Sequence, residues 1–300
     1  MLRYYNPVLL NDSTISVDRL SIQFTANDYL IDMIYNDQYL NDVFPWMNFE
    51  DVDTRSYHFR YYYKVNYTTG TMTVMLCHNS NDQSKCRIEV NPNKCFNDSN
   101  CIQNIQELLM NSTSYFINQL DIAIDIPKSP DMISFLKDQR SSLQFSRGKN
   151  DHTEYLGKKR NKPGHVKKYD KAKESKIDHP LTRIEVTVGN PADQRFRDDL
   201  IRYLPETYIR VSTEKAVDLN SDTLNATEKV LIKALLSHPN RIALWSQMCK
   251  KEKEKIKPYI FSELENLNYD IETIIKVANE MISLLSFDFA KIEKGIFTAF

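Results

Sequence analysis

The chain has 300 residues, 41% hydrophobic and 26% charged, with a formal net charge of -1, which is length enough for a substantial core in one large domain or two ordinary ones. Only six glycines are present, and the absence of any G-x-G-x-x-G or Walker-type loop excludes Rossmann and P-loop nucleotide folds. No run of eighteen apolar residues is available to span a membrane. The N-terminal stretch lacks both an apolar h-region of useful length and a small-residue cleavage site. Five cysteines, an odd count without C-x-x-C spacing, read as reduced thiols. These features predict a cytoplasmic protein without membrane attachment.

Residues 14–24 alternate apolar and polar through Ile15, Val17, Leu20, Ile22 and Phe24, and a phase slip near Asp18 predicts a β-bulge. Asn27 precedes a short run with Leu30, Met33 and Ile34 at helical spacing, expected as a capped helix. Residues 58–67 and 71–77 read as a hairpin around Thr68-Thr69-Gly70. A strand over 86–90 ends at the turn Asn91-Pro92-Asn93. Ile102, Ile105, Leu108 and Leu109, followed by Phe116 and Leu120, keep helical spacing up to a strand at 120–126. A helix is expected over 130–138, and strands over 152–157, 165–171 and 181–188. This mixture predicts an α+β domain on a largely antiparallel sheet. From about 191 the pattern becomes helical, with helices expected over 192–203, 225–237, 240–254 and 270–285. The polar segment 214–224 marks the boundary, giving a domain 1–210 and a helical region 220–300.

Charge is unevenly spread. Residues 1–135 hold 9 Lys and Arg against 16 Asp and Glu, and the rest hold 30 against 24. Residues 147–176 concentrate eleven basic side chains against four acids, a footprint that suits a phosphate backbone as well as a solvated loop. Lys158, Lys159, Arg160, Lys162 and Lys168 are the candidate phosphate contacts in this run. A second basic run, Lys250, Lys251, Lys253, Lys255 and Lys257, lies in the helical region.

Three strands carry the candidate chemistry. In 120–126, Asp121, Ala123 and Asp125 face away from Leu120, Ile122, Ile124 and Ile126. In 181–188, Arg183, Glu185 and Thr187 oppose Ile184, Val186 and Val188. Carboxylates on neighbouring strands, roughly 5 Å apart laterally, suit a shared Mg²⁺ or Mn²⁺. Asp121 and Asp125 lie about 13 Å apart along one strand, so one aspartate is expected to pair with Glu185 and the other to hold a Lys or Arg. In 165–171, His165, Lys167, Tyr169 and Lys171 share a face. A phenol titrates near about 10 and is a weak nucleophile at neutral pH, and flanking lysines would stabilise both a phenolate and a phosphoryl transition state. Tyr155 competes for that role on the preceding strand. The Tyr61-Tyr62-Tyr63 run alternates faces and reads as sheet packing, with base stacking the weaker option.

Taken in order, LDIAIDI, TEYLGKKRNKPGHVKKYDKAKE and LTRIEVTV resemble the catalytic core of Rep_trans-type replication initiators of rolling-circle plasmids. Asp121 and Asp125 match that family's first element and Thr153, Tyr155 and Gly157 its second. Tyr169, Lys171 and Glu174 match the third, and Arg183 and Glu185 the last. The stretch RIEVNPNK is a further upstream match, so the resemblance covers roughly residues 85–190. Gln119 stands where the family has an arginine, and G-K-K-R-N replaces a serine-bearing turn.

The resemblance implies an HUH-like or RRM-like palm and a metal-dependent DNA nickase and strand transferase. Tyr169 would be the nucleophile, with Lys167, Lys171 and Arg183 assisting, and Asp121, Asp125 and Glu185 would bind Mg²⁺ or Mn²⁺. It further implies plasmid origin DNA, a host superfamily-1 helicase and a second copy of the chain as partners. Origin recognition is expected in 220–300, because helices can read major-groove edges whereas the catalytic strands must accept one local geometry. The alternatives are an origin-binding initiator of theta replication that has lost nicking, and a conjugative relaxase of the same fold.

Overall fold

The computed structural model describes residues 8–10, 13–36, 40, 42–47, 58–79, 82–135, 143–147, 152–157, 162–210, 223–237, 244–245, 247–261 and 264–285. Its strands are β1 (Val8–Leu10), β2 (Ser13–Ala26), β3 (Phe59–Asn66), β4 (Thr71–His78), β5 (Lys85–Val90), β6 (Ser112–Ile126), β7 (Ile133–Ser134), β8 (Leu143–Arg147), β9 (His152–Leu156), β10 (Val166–Asp170), β11 (Thr182–Val188), β12 (Thr207–Arg210) and β13 (Leu264–Leu267). Its helices are α1 (Asp28–Tyr35), α2 (Pro92–Cys95), α3 (Ser99–Met110), α4 (Lys171–Ser175), α5 (Phe196–Tyr203), α6 (Ala226–Ser237), α7 (Lys250–Phe261) and α8 (Ile271–Ser283).

Ten strands form one sheet in the order β3-β4-β5-β2-β6-β11-β10-β9-β8, with β1 pairing β2 off that path. Every pairing in it is antiparallel. The period of two sends Ile15, Val17, Leu20, Ile22 and Phe24 of β2 into one buried core with Ile122, Ile124, Ile184 and Val186. Helices α1, α3, α5 and α8 pack on that face, against β2, β6 and β11. The register of β2 on β6 slips between Val17 and Arg19, so the bulge lies at Asp18, as the phase slip in the sequence predicts. The extra residue turns Asp18 and Arg19 toward the face opposite the helices while keeping Leu20 in the core.

Local chemistry closes the helices. The Asn27 side chain accepts from the Leu30 amide at 2.8 Å, a cap that contributes about 1 kcal/mol. Asn91 caps α2, with Pro92 at its first position. Helix α3 ends at Met110, and Phe116 and Leu120 belong to the fifteen-residue strand β6. The helical spacing read through them is therefore a coincidence of period, and Phe116 stands 45% exposed.

Other expectations change in detail. The segment expected as a helix over 130–138 is one 3-10 turn, Pro130–Met132, leading into β7, and residues 136–138 lie outside the described set. Within the helix expected at 240–254, residues 244, 245 and 247 are helical, 240–243 and 246 lie outside the described residues, and a helix runs on from Lys250 to Phe261. The C-terminal region is not purely helical: β12 and β13 join β7 in a second, three-stranded sheet. A smaller core of Tyr208, Leu224, Ile232, Leu235, Met248, Ile256 and Ile260 packs beside it. Helix α8 instead buries Ile274, Val277, Ala278 and Met281 in the main core. Among the described residues no helix is long and apolar enough to cross a membrane.

Candidate functional site

The three chemistry-bearing strands are neighbours, in the order β6-β11-β10. Arg183 lies opposite Asp125, Glu185 opposite Ala123, and Thr187 opposite Asp121. On the other side of β11, Lys167 lies opposite Glu185 and Tyr169 opposite Arg183. Tyr155 continues the row beyond Lys167 on β9. Cross-strand partners on one face bring side chains within contact distance, so all of these groups meet on the face turned away from the helices.

Arg183 organises one half of the site. Its Nε and Nη2 donate to the two oxygens of Asp125, both at 2.6 Å, and Nη1 donates to Asp18 Oδ1 at 2.8 Å. Such a forked pair is among the strongest polar contacts a protein makes. Asp18 also accepts from the Asn91 amide at 3.0 Å and from Asn93 at 3.4 Å, and Asn93 reaches Ser16 Oγ at 3.0 Å. Burial works to raise the Asp18 pKa, but Arg183, the two asparagines and Lys171 outweigh it and hold the carboxyl below its ordinary 3.8. Burial likewise opposes the charge on Arg183, and its two aspartates overcome that and keep it firmly protonated.

The other half centres on Tyr169. Its hydroxyl donates to Glu185 Oε1 at 2.5 Å, and Lys167 Nζ donates to Glu185 Oε2 at 3.3 Å. The Lys167 ammonium lies 4.0 Å from the centroid of the Tyr169 ring, and that of Lys171 lies 5.9 Å away. Lys171 is also paired with Glu174, on the helix that Asp170 caps through the Lys173 amide. Burial first, then the charge and hydrogen bond of Glu185, pushes the Tyr169 phenol well above its ordinary range. Burial also raises Glu185 above its ordinary 4.5, with Lys167 and Tyr169 offsetting only part of the effect. The Tyr155 ring instead stacks on His165, with centroids 5.5 Å apart.

Asp121 accepts from Thr187 Oγ1 at 2.8 Å and lies 3.9 Å from Arg19, which is bound to Glu89 at 2.7 Å. Burial raises the Asp121 carboxyl above its ordinary value despite these contacts. Both oxygens of Asp125 accept from Arg183, just as both oxygens of Glu185 accept from Tyr169 and Lys167. Among the described residues no group of three or more His, Cys, Asp or Glu is arranged to hold a metal ion.

The expected phosphate contacts divide. Lys158, Lys159 and Arg160 lie outside the described residues, and Lys162 is exposed. Lys168 corrects the expectation. It is only 4% exposed and lies on the core side of β10, paired with the equally buried Glu154 and donating to the Ile133 carbonyl at 2.7 Å. An amine enclosed in that way does not reach a phosphate. The charge count missed this because it weighs every lysine alike, although the period-two pattern already put Lys168 opposite Lys167 and Tyr169. Sequence reasoning also missed Asp18, Asn91, Asn93 and Thr187. The phase slip and the Asn91-Pro92-Asn93 turn were both visible signals, but nothing in one dimension joined them to Arg183.

The fold and site define a class: an α+β chain in which the sheet face turned away from the helices gathers a buried tyrosine, flanking lysines, an arginine and the carboxylates Asp18, Asp121, Asp125 and Glu185. Neither a protein-family model nor a curated protein matches the sequence. Among solved structures, the chain is similar to the rolling circle replication initiator protein from Geobacillus stearothermophilus. The identity is 17% over 69% of this chain and 90% of that one, with a TM-score of 0.36. That resemblance is distant.

Proposed function

We propose that the chain initiates plasmid replication by nicking and rejoining one DNA strand through a covalent bond between Tyr169 and a 5′ phosphate. The observation that carries this reading is the 2.5 Å bond from the Tyr169 hydroxyl to Glu185, with Lys167 beside the same ring, set within the ordered sequence motifs that match the initiators. Tyr169 attacks phosphorus and the P–O3′ bond breaks, leaving a 3′-hydroxyl for a polymerase. Glu185 is within reach to take the phenolic proton, and entry of a phosphate supplies the negative partner that Lys167 and Lys171 then stabilise.

Asp121, and Glu185 in exchange for its contact with Lys167, would be the carboxylates that hold a divalent cation. Burial leaves both incompletely compensated by neighbouring cations, which fits a Mg²⁺ or Mn²⁺ that takes one or two carboxylates, water and substrate phosphate. Bound there, the ion would polarise the scissile phosphate. Arg183 and Asp125 act as a brace that fixes β6, β11 and the bulge of β2. Origin DNA, a superfamily-1 helicase and a second copy of the chain are the partners that the sequence motifs imply, with exposed Lys162 beside the DNA.

The test is incubation with Mg²⁺ or Mn²⁺ and supercoiled plasmid carrying the DNA that flanks the chain's own coding sequence. Open circles bearing covalent protein are expected for the native chain. Tyr169→Phe should retain DNA binding and form no adduct, while Tyr155→Phe keeps nicking at least in part. If Tyr155→Phe abolishes the adduct and Tyr169→Phe does not, the nucleophile is on β9. A second reading, an origin-binding initiator without nicking, is favoured by the deep burial of the phenol and the commitment of Asp125 to Arg183. It replaces the first if DNA binds and no adduct ever forms.

A further inference from the structure

A cavity of about 310 Å³ opens on the site face, where β2, β6 and β11 meet the segment that follows β5. Thr14, Ser16, Asp125 and Arg183 line it from the sheet, and Pro92, Asn93 and Asn97 from that segment. Ser16, Asp125 and Arg183 are each more than nine-tenths buried. The bonds from Asn93 to Ser16 and Asp18 brace the opposing wall before any ligand arrives.

The lining defines the occupant. Asp125 already neutralises Arg183 through two bonds, so the cavity offers no net positive charge to a phosphate or carboxylate. What it does offer is hydroxyls, carboxamides, the remaining N–H groups of a guanidinium that uses three of them on two aspartates, and the apolar ring of Pro92. Neutral donors and acceptors beside a small apolar contact suit a planar heterocycle with both kinds of edge. The volume lies at the lower end of ligand pockets, about 300 Å³, which admits one such ring system. Arg183 is the direct cross-strand partner of Tyr169, so the cavity adjoins Tyr169 by one strand spacing, roughly 5 Å.

We propose that this cavity receives one unpaired nucleobase of the DNA strand, belonging to a nucleotide that adjoins the phosphate attacked by Tyr169. The proposal deepens the nicking reading and rests on it for the position of that phosphate. Thr14, Asn93 and Asn97 then determine which base is accepted.

The test uses the full chain and single-stranded oligonucleotides tiled across the DNA flanking its coding sequence, each with one abasic step moved a position at a time. Binding is read by fluorescence anisotropy and adduct formation by denaturing gel. For the native chain, one position should show an abasic penalty of about tenfold, within the range that one read base contributes. Asn97→Trp fills the cavity from an exposed position outside the Tyr169 network. It should weaken the intact oligonucleotide about tenfold and remove that penalty. A penalty spread over all positions, or one unchanged in Asn97→Trp, overturns the base pocket while adducts on the same oligonucleotides leave nicking standing. A single sensitive position without any adduct keeps the pocket and removes the nicking reading. Absence of all binding removes both.

Discussion

At the scale of single residues, Asp18 shows how a bulge becomes a functional device. It occupies the extra position of β2 and accepts from Arg183 on β11 and from both asparagines of the Asn91-Pro92-Asn93 turn. Hydrogen bonds to charged groups contribute about 1.5–3 kcal/mol each, so Asp18→Asn should lower stability at pH 7 by about 1–3 kcal/mol in urea unfolding. The folded pKa lies below the ordinary 3.8, so this stabilisation is present above 3.8 and disappears as the pH falls through the folded value. The gap between native and variant chains should therefore narrow as the pH falls below 3.8, and a gap that stayed constant with pH would refute the ionic role. Cysteine chemistry is equally local. Burial pushes the Cys86 thiol up to about 12 and raises Cys77, and a hydrogen bond with Cys95 followed by burial raises Cys101, whereas Cys249 is exposed. Brief alkylation of the native chain should label Cys249 alone by mass spectrometry, and labelling of Cys86 ahead of it would contradict the packing. The strand period made the shared face of Tyr169, Lys167 and Glu185 legible from sequence. The convergence of Asp18 and Asn93 was not, because it depends on how far β2 slips against β6.

At the scale of elements, β9, β10 and the 3-10 turn are joined on the core side by Lys168 and Glu154. A lysine is almost never fully buried without a partner, and the partner here sits on another strand beyond a turn. Composition alone therefore assigned Lys168 to the surface. Removing one member of a buried pair costs about 3–5 kcal/mol because a charge is left unpaired, whereas replacing both by apolar residues is often neutral. Lys168→Met should accordingly lose about 3–5 kcal/mol in denaturant unfolding, and adding Glu154→Leu should recover most of it. If the double variant is as unstable as the single, the pair acts through packing and not through charge. Helix ends show the same limit. Phe116 and Leu120 extended the apparent helical stripe of α3, yet pairing with β2 along the whole of β6 outweighs a propensity that is only a weak prior.

At the scale of the whole molecule, the sequence showed a mixed sheet domain followed by a change of texture, and it showed the candidate site within the first part. It did not show which core each later helix joins, since an amphipathic stripe states that a face is buried and not what covers it. Helix α8 follows the small sheet in sequence but packs its apolar face into the main core, against β2 and α5. The smaller core is held by α6, α7 and Tyr208 of β12. The two tryptophans separate these bodies. Trp46 packs against the main core, where its Nε1 donates to Glu107 at 2.9 Å, and Trp245 packs against the smaller one. In a Trp245→Phe background, Ile274→Ala should lower the unfolding midpoint reported by Trp46, with a loss of about 2–5 kcal/mol for a fully buried isoleucine. In a Trp46→Phe background, Ile232→Ala should lower the midpoint reported by Trp245 by a comparable loss. If Ile274→Ala moved the Trp245 signal and left Trp46 unchanged, α8 would belong with the helices that precede it. The sheet that carries Tyr169 would then hold its core without the last helix.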